Sequence, residues 1–283
     1  MQKKIISKQI RKYGTYEEKI RERRKKKEKI LNIHNLIDNK KFALALSSIE
    51  NYINSYSEDC YVIYEYGRYF FRTCDYKKAK EYFLINVENN SENKYYSMYE
   101  LGKIEKNEYN YEAALNYFDE IIESKHNQKC YALLEKAKIY RELEKYEEEE
   151  KILLNIINNK SENYKYAVEE MVELNIEMKN TDKALLYLKK LKTLNSNRYK
   201  ILEGKILLQK NKIKEAKKIL EEINQNNINY KKAQYELAEI EYLLSNYEES
   251  LNILNNLENY NSNLTIRQIF LYILIKKSSA TNE

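Results

Sequence analysis

Apolar residues recur at steps of three and four through most of this chain, and short polar stretches interrupt them. The stretch Tyr95 to His126 shows the pattern best. It carries a Leu101-Gly102 pair, then Asn110-Tyr111, Ala114 and Phe118, then a polar break. Such steps place the apolar residues on one helix face. The pattern predicts two amphipathic helices separated by the turn before Tyr111. Between Asp38 and Ile53 the same reading gives a turn at Asp38-Asn39-Lys40 and a helix from Phe42, with Phe42, Ala45, Ile49 and Tyr52 inward.

The pattern repeats. Units begin at Lys26, Cys60, Tyr95, Cys130, Lys165, Asn197 and Lys231, at spacings of 34, 35, 35, 35, 32 and 34. Position 8 of each unit holds Ile33, Gly67, Gly102, Ala137, Val172, Gly204 and Ala238, mostly small. Position 20 holds Ala45, Ala79, Ala114, Glu149, Ala184, Ala216 and Ser250. Position 24 is always apolar: Ile49, Phe83, Phe118, Leu153, Leu188, Leu220 and Leu254. Position 17 holds Phe42, Tyr76, Tyr111, Tyr146, Thr181, Ile213 and Tyr247. Small residues let two helices approach closely, and the large ones fill the space to the next pair. One hairpin cannot bury its faces alone, so the units must stack.

Residues 26–264 resemble the tetratricopeptide repeat (TPR) family, most clearly at Leu101, Gly102, Asn110, Tyr111, Ala114 and Phe118. The family's Trp at position 4 is absent. Its Pro at position 32 is replaced by Ser57, Ser91, His126, Ser161, Ser196, Ile228 and Ser262, of which the Ser are expected to cap the next helix or turn. The resemblance implies an all-α, right-handed α-solenoid of about seven helix hairpins. A basic helical extension, residues 1–25, precedes it, and residues 265–283 form a capping helix and a disordered tail. In Leu264–Ile275, Ile266, Ile269, Phe270 and Ile273 suit the cap, while Leu271 and Ile275 widen the apolar surface toward a homodimer contact.

Near the start, Gly14 is expected to break a first helix, and Thr15 to Glu18 fits a capping box for the next. Composition supports the helical reading: the 283 residues include no Pro and four Gly. Residues 1–30 hold thirteen Lys/Arg against four Glu, so the rest of the chain carries −3 of the total +6. The basic run Arg21–Lys29 reads first as a solvated helix, then as a contact for phosphate backbones or an anionic membrane surface. No apolar run is long enough to insert in a membrane, and the start lacks a signal-peptide pattern. Three Cys and two His without motif spacing suggest reduced thiols, a cytoplasmic location, no metal and no cofactor. His34 and His126 read as structural. No catalytic motif is present, so an enzyme is not expected. The acidic run Glu147–Glu150 reads as a solvated helix start.

The TPR resemblance implies that the first helix of each unit lines a concave groove. Its facing positions hold Tyr61, Tyr96, Tyr131 and Tyr166, then Tyr64 and Tyr99, with the cations Arg68, Lys103, Lys138 and Lys205, and further along Arg72, Lys106 and Arg141. Phenol rings flanked by cations suit a protein partner or an extended acidic peptide. The expected function is a non-enzymatic scaffold or adaptor. The alternative is an RNA- or single-stranded nucleic-acid-binding helical repeat that stacks bases on the same Tyr and pairs phosphates with the same Lys/Arg. A third alternative leaves the Tyr packed on neighbouring helices; abundant Lys, Asn, Ile and Tyr also reflect AT-rich codons. The family's carboxylate clamp is missing, since the matching positions hold Ile30, His34, Tyr64 and Arg68.

Overall fold

Where the apolar period runs, the chain is helical. The computed structural model describes residues 2–56, 59–124, 126–194 and 198–258, with side chains from residue 18 onward. The chain forms two compact units that divide between Ile139 and Tyr140. The first contains α1 (Gln2–Asp38), α2 (Phe42–Tyr56), α3 (Cys60–Arg72), α4 (Tyr76–Glu88), α5 (Lys94–Asn107), α6 (Tyr111–Glu123) and most of α7 (Lys129–Glu142). The second contains α8 (Tyr146–Asn158), α9 (Tyr164–Glu177), α10 (Thr181–Thr193), α11 (Tyr199–Gln209), α12 (Ile213–Glu221), α13 (Tyr230–Leu243) and α14 (Tyr247–Glu258). No strand occurs among the described residues. In the first unit α3 packs on α4, α4 on α5 and α5 on α6. In the second, α8 to α14 pack in the same successive order. This is an all-α helical-repeat solenoid fold.

The repeat positions explain the packing. All seven residues at position 20 are fully buried, including Glu149 and Ser250. Those at position 24 are buried too, and those at position 17 are half-buried at the hairpin joints. Glycine at position 8 sits directly against the position-24 side chain. A Cβ at Gly102 would fall 2.7 Å from Phe118 Cε1, at Gly67 2.6 Å from Phe83 Cε1, and at Gly204 3.0 Å from Leu220 Cγ. At Gly67 and Gly102 the second helix thus lies closer than a methyl group allows. Where position 8 is Ala137, Val172 or Ala238, position 24 is Leu rather than Phe.

The turns inside the hairpins also repeat. Lys40, Cys74, Tyr109, Glu144, Lys179, Asn211 and Ser245, each at position 15, adopt positive φ between 55° and 64°. This left-handed turn ends the first helix and returns the chain. None of the seven is glycine, so each side chain bears a steric cost of order 1 kcal/mol.

Three expectations are corrected. The first helix runs unbroken from Gln2 to Asp38 through Gly14, and no new start forms at Thr15. One glycine in a helix costs only about 1 kcal/mol, which the helix-forming neighbours absorb. Of the Ser at position 32, the two described do not cap the following helix through their hydroxyls: Ser91 Oγ donates to Asn86 Oδ1 at 2.9 Å, and Ser161 Oγ donates back to the Ile156 carbonyl at 3.4 Å. The acidic start of α8 is not wholly solvated, because Glu149 occupies the fully buried position 20. The C-terminal helix expected at Leu264–Ile275, the tail after it, the unit start Asn197, and Ser57, Ser196 and Ser262 lie outside the described residues.

Two substitutions test the packing. Gly102→Ala is expected to destabilise by about 1–3 kcal/mol, because the Phe118 ring must move. Gly204→Ala is expected to cost less, since Leu220 can rotate; urea denaturation of both variants reads the order. Tyr109→Gly, which relieves a left-handed residue, is expected to raise stability by about 1 kcal/mol in the same assay.

Candidate functional site

The first helices carry a column of acids that the repeat reading did not single out. Position 6 is Glu65, Glu100, Glu135 and Glu170, then Glu236. In the first unit these acids take up the cations expected to face a ligand. Arg68 is buried; its Nη1 lies 2.7 Å from Glu65 Oε2 and its Nη2 2.6 Å from Asp38 Oδ1. His34 Nδ1 joins them, 2.9 Å from Glu65 Oε1. Lys103 Nζ meets Glu100 at 2.8 Å and sits over the Phe71 and Tyr99 rings at 4.9 and 5.4 Å. Lys106 and Lys138 both bind Glu135, the first across α5 and α7, the second at 2.9 Å. Burial would raise the Glu135 carboxyl, but these two ammonium groups outweigh it and hold it below the usual carboxylate range. Arg72 remains exposed, 3.6 Å from Asp38.

The rings form a second column on the same helices. Tyr64 on α3 contacts Tyr96 on α5, with centroids 6.1 Å apart, and Tyr99 on α5 contacts Tyr131 on α7 at 6.4 Å. Tyr64 also packs on Phe83 and Tyr99 on Phe118, so these two belong partly to the core. Burial pushes both phenols far above their ordinary range. Tyr61 and Tyr131 are the exposed members, at 45% and 42%. Two phenols are fixed at their tips by the same repeat position: Tyr61 donates to Glu92, and Tyr96 accepts from Asn127 Nδ2 at 3.2 Å. The bond to Glu92, followed by burial, pushes the Tyr61 phenol up to about 12.

In the second unit, Arg141 is the centre of a charged cluster. It binds Glu149 through two nitrogens and Glu170 Oε2 at 2.9 Å, donates to the Glu170 carbonyl, and lies 3.8 Å from Glu177. Arg198 then spans Glu170 at 2.9 Å and Glu173 at 2.8 Å, and Lys205 lies between Glu173 and Glu236. Tyr166 stands exposed at 54%. The sequence reading placed Arg141 and Lys205 among ligand-facing cations; here they hold adjacent first helices together. The acids were visible as Glu at every thirty-fifth residue from Glu65 to Glu170, a period masked by the overall abundance of charge.

Other chemistry is sparse. Cys60, Cys74 and Cys130 are free thiols. Among the described residues no group of His, Cys, Asp and Glu has the arrangement of a metal site, and no helix is long and apolar enough to cross a membrane. On α1, Arg21–Lys25 is exposed, and Lys26 and Lys29 lie 5.3 and 4.6 Å from the Tyr56 ring centroid.

No protein-family model and no curated protein matches this sequence. Solved structures share the fold. A tetratricopeptide repeat protein from Parabacteroides merdae ATCC 43184 superposes with a TM-score of 0.67 at 14% identity, over 89% of this chain and 98% of that one. A Rap protein in complex with Competence and Sporulation Factor gives 0.54 at 15% identity, over 86% and 76%. NprR in complex with its cognate peptide NprX gives 0.54 at 17%, over 88% and 82%. These likenesses establish a TPR-like repeat fold.

The Glu149 cluster generates a pH dependence. Burial, larger than the opposing pull of Arg141, raises the Glu149 carboxyl to about 7, and Glu170 and Glu177 add to the rise. A group raised in the folded state contributes its stability fully below the unfolded value, and loses it as pH climbs through the folded one. Stability is therefore expected to fall between pH 4.5 and about 7 by on the order of 1–3 kcal/mol from this group. Glu149→Gln should flatten that part of the profile, read as urea midpoints of both proteins across the window.

Proposed function

We propose that the chain is a non-enzymatic scaffold that binds a protein or extended peptide along the face of its first helices. The carrying observation is the column of tyrosines on α3, α5 and α7, whose exposed members Tyr61 and Tyr131 flank the half-buried Tyr96. Rigid rings give contact area at low entropy cost. The candidate binding residues of the first unit are Tyr61, Tyr64, Tyr96, Tyr99 and Tyr131 with Arg68, Arg72, Lys103, Lys106 and Lys138; those of the second are Tyr166 and Arg141. Their roles differ. Tyr64, Tyr99 and Arg68 also hold the fold, whereas Tyr61, Tyr131, Tyr166 and Arg72 are exposed and suited to direct contact. Support by analogy comes from the Rap and NprR structures, each solved with a bound factor or peptide. A cytoplasmic location fits this reading, given the unpaired thiols.

An acidic ligand would have to displace the chain's own glutamates from Arg68, Lys103, Lys106 and Lys138. The same holds for the phosphates of a nucleic acid, and no observation favours that reading. Photo-crosslinking tests the proposal. A benzophenone side chain at Tyr61 or Tyr131 is expected to capture a protein partner in the source cell, and one at Tyr109, in the α5–α6 turn, is not. Equal capture at all three positions, or RNA in place of protein, would count against it.

A further inference from the structure

We infer that the tyrosine column of the first unit takes an uncharged, proline-rich segment in the extended polyproline conformation. This rests on the binding role proposed above and names the partner's chemistry.

Charge points there first. On this face Arg68, Lys103, Lys106 and Lys138 are each paired with Glu65, Glu100 or Glu135. With Asp38, which takes Arg68 and Arg72, four carboxylates meet five cations here, so the face carries little net charge and a charged segment gains little for the hydration it loses. Spacing agrees. Packed helices lie about 8–10 Å apart, and one turn of polyproline helix rises about 9.3 Å in three residues. Rings of successive first helices touch, Tyr64 with Tyr96 and Tyr99 with Tyr131, so an extended segment laid across them meets one ring pair after another. Hydrogen bonding agrees as well. Proline offers carbonyl acceptors and no N–H, so its partner must supply donors. Tyr96 Oη accepts from Asn127 Nδ2, which leaves its own proton to donate outward. Tyr61 is held at its tip by Glu92, so its ring is fixed before any ligand arrives. Preset rings meeting a stiff ligand lose little entropy on binding.

The test uses the full chain and fluorescein-labelled peptides in anisotropy titrations. One peptide is a run of about ten prolines, ~31 Å long. The other is an acidic peptide of equal length rich in Glu and Gly. The proline peptide is expected to bind, with affinity nearly constant between low and high salt. The double variant Tyr61→Ala, Tyr131→Ala is expected to weaken it about tenfold or more. Both residues are exposed, so an unchanged helical circular dichroism spectrum and melting temperature show that the variant still folds. Tyr109→Ala should leave binding unchanged. The inference is overturned if the proline peptide fails to bind at about millimolar concentration. It is also overturned if the double variant binds as well as the parent, or if the acidic peptide binds more tightly with a steep loss in salt. Crosslinking at Tyr61 and Tyr131 without proline binding would remove only the partner chemistry. Failure of both would remove the binding role too.

Discussion

Everything in this fold depends on how closely the two helices of a hairpin approach. Gly67 and Gly102 at position 8 face an aromatic ring with no room for a methyl group, and Gly204 faces Leu220 with little. Fully buried small residues at position 20 do the same from the second helix. Those contacts fix both the depth and the register of each pair. Once register is fixed, every other position repeats its environment from hairpin to hairpin. The tyrosines at positions 2 and 5, the acids at position 6 and the cations at position 9 become columns for that reason alone.

The column of acids adds a second constraint. Burying a carboxylate costs several kcal/mol, and a partner cation offsets that cost without a large surplus. The pairs therefore contribute little net stability. Their geometry has another consequence. Arg141 meets Glu149, Glu170 and Glu177 from three directions, and Lys106 reaches from α5 to Glu135 on α7. A helix slipping by one residue would leave a buried charge without its partner. Alternative registers are thereby penalised more heavily than a purely apolar interface would penalise them.

The architecture was legible because it rests on residue size at fixed intervals. Gly67, Ala79 and Phe83 are informative wherever the chain is read, since their volumes are properties of the residues themselves. Charge partners were less legible. Glu149 looked like one of four acids at a helix start, and only packing shows that it fills the place of an alanine. Arg68 and Lys103 read as groove cations because position alone says which way a side chain leaves the helix, and not what waits there. Gly14 misled in the opposite sense. A single residue's propensity is worth about 1 kcal/mol, and a long run of helix-forming neighbours outweighs it. The positive φ at position 15 was hidden for a related reason: Lys, Cys, Tyr, Glu, Asn and Ser fill it, and none of them advertises a left-handed turn except Asn.

The same distinction separates the two kinds of ring. Tyr64 and Tyr99 contact Phe83 and Phe118, the side chains that close the helix approach, so their positions follow from the core. Tyr61 is placed instead by its polar contact to Glu92, and Tyr96 by Asn127 together with the Tyr64 and His126 rings. A structural tyrosine needs only its apolar body buried. Phenols tied at the tip, with a ring edge left in solvent, are ordered without being consumed by the fold. The residues that fix these two tips, Glu92 and Asn127, occupy one repeat position in two successive units, so the arrangement is not confined to a single joint. That recurrence distinguishes these two rings from tyrosines scattered by composition, and it is what the proposed binding role of the first helices rests on.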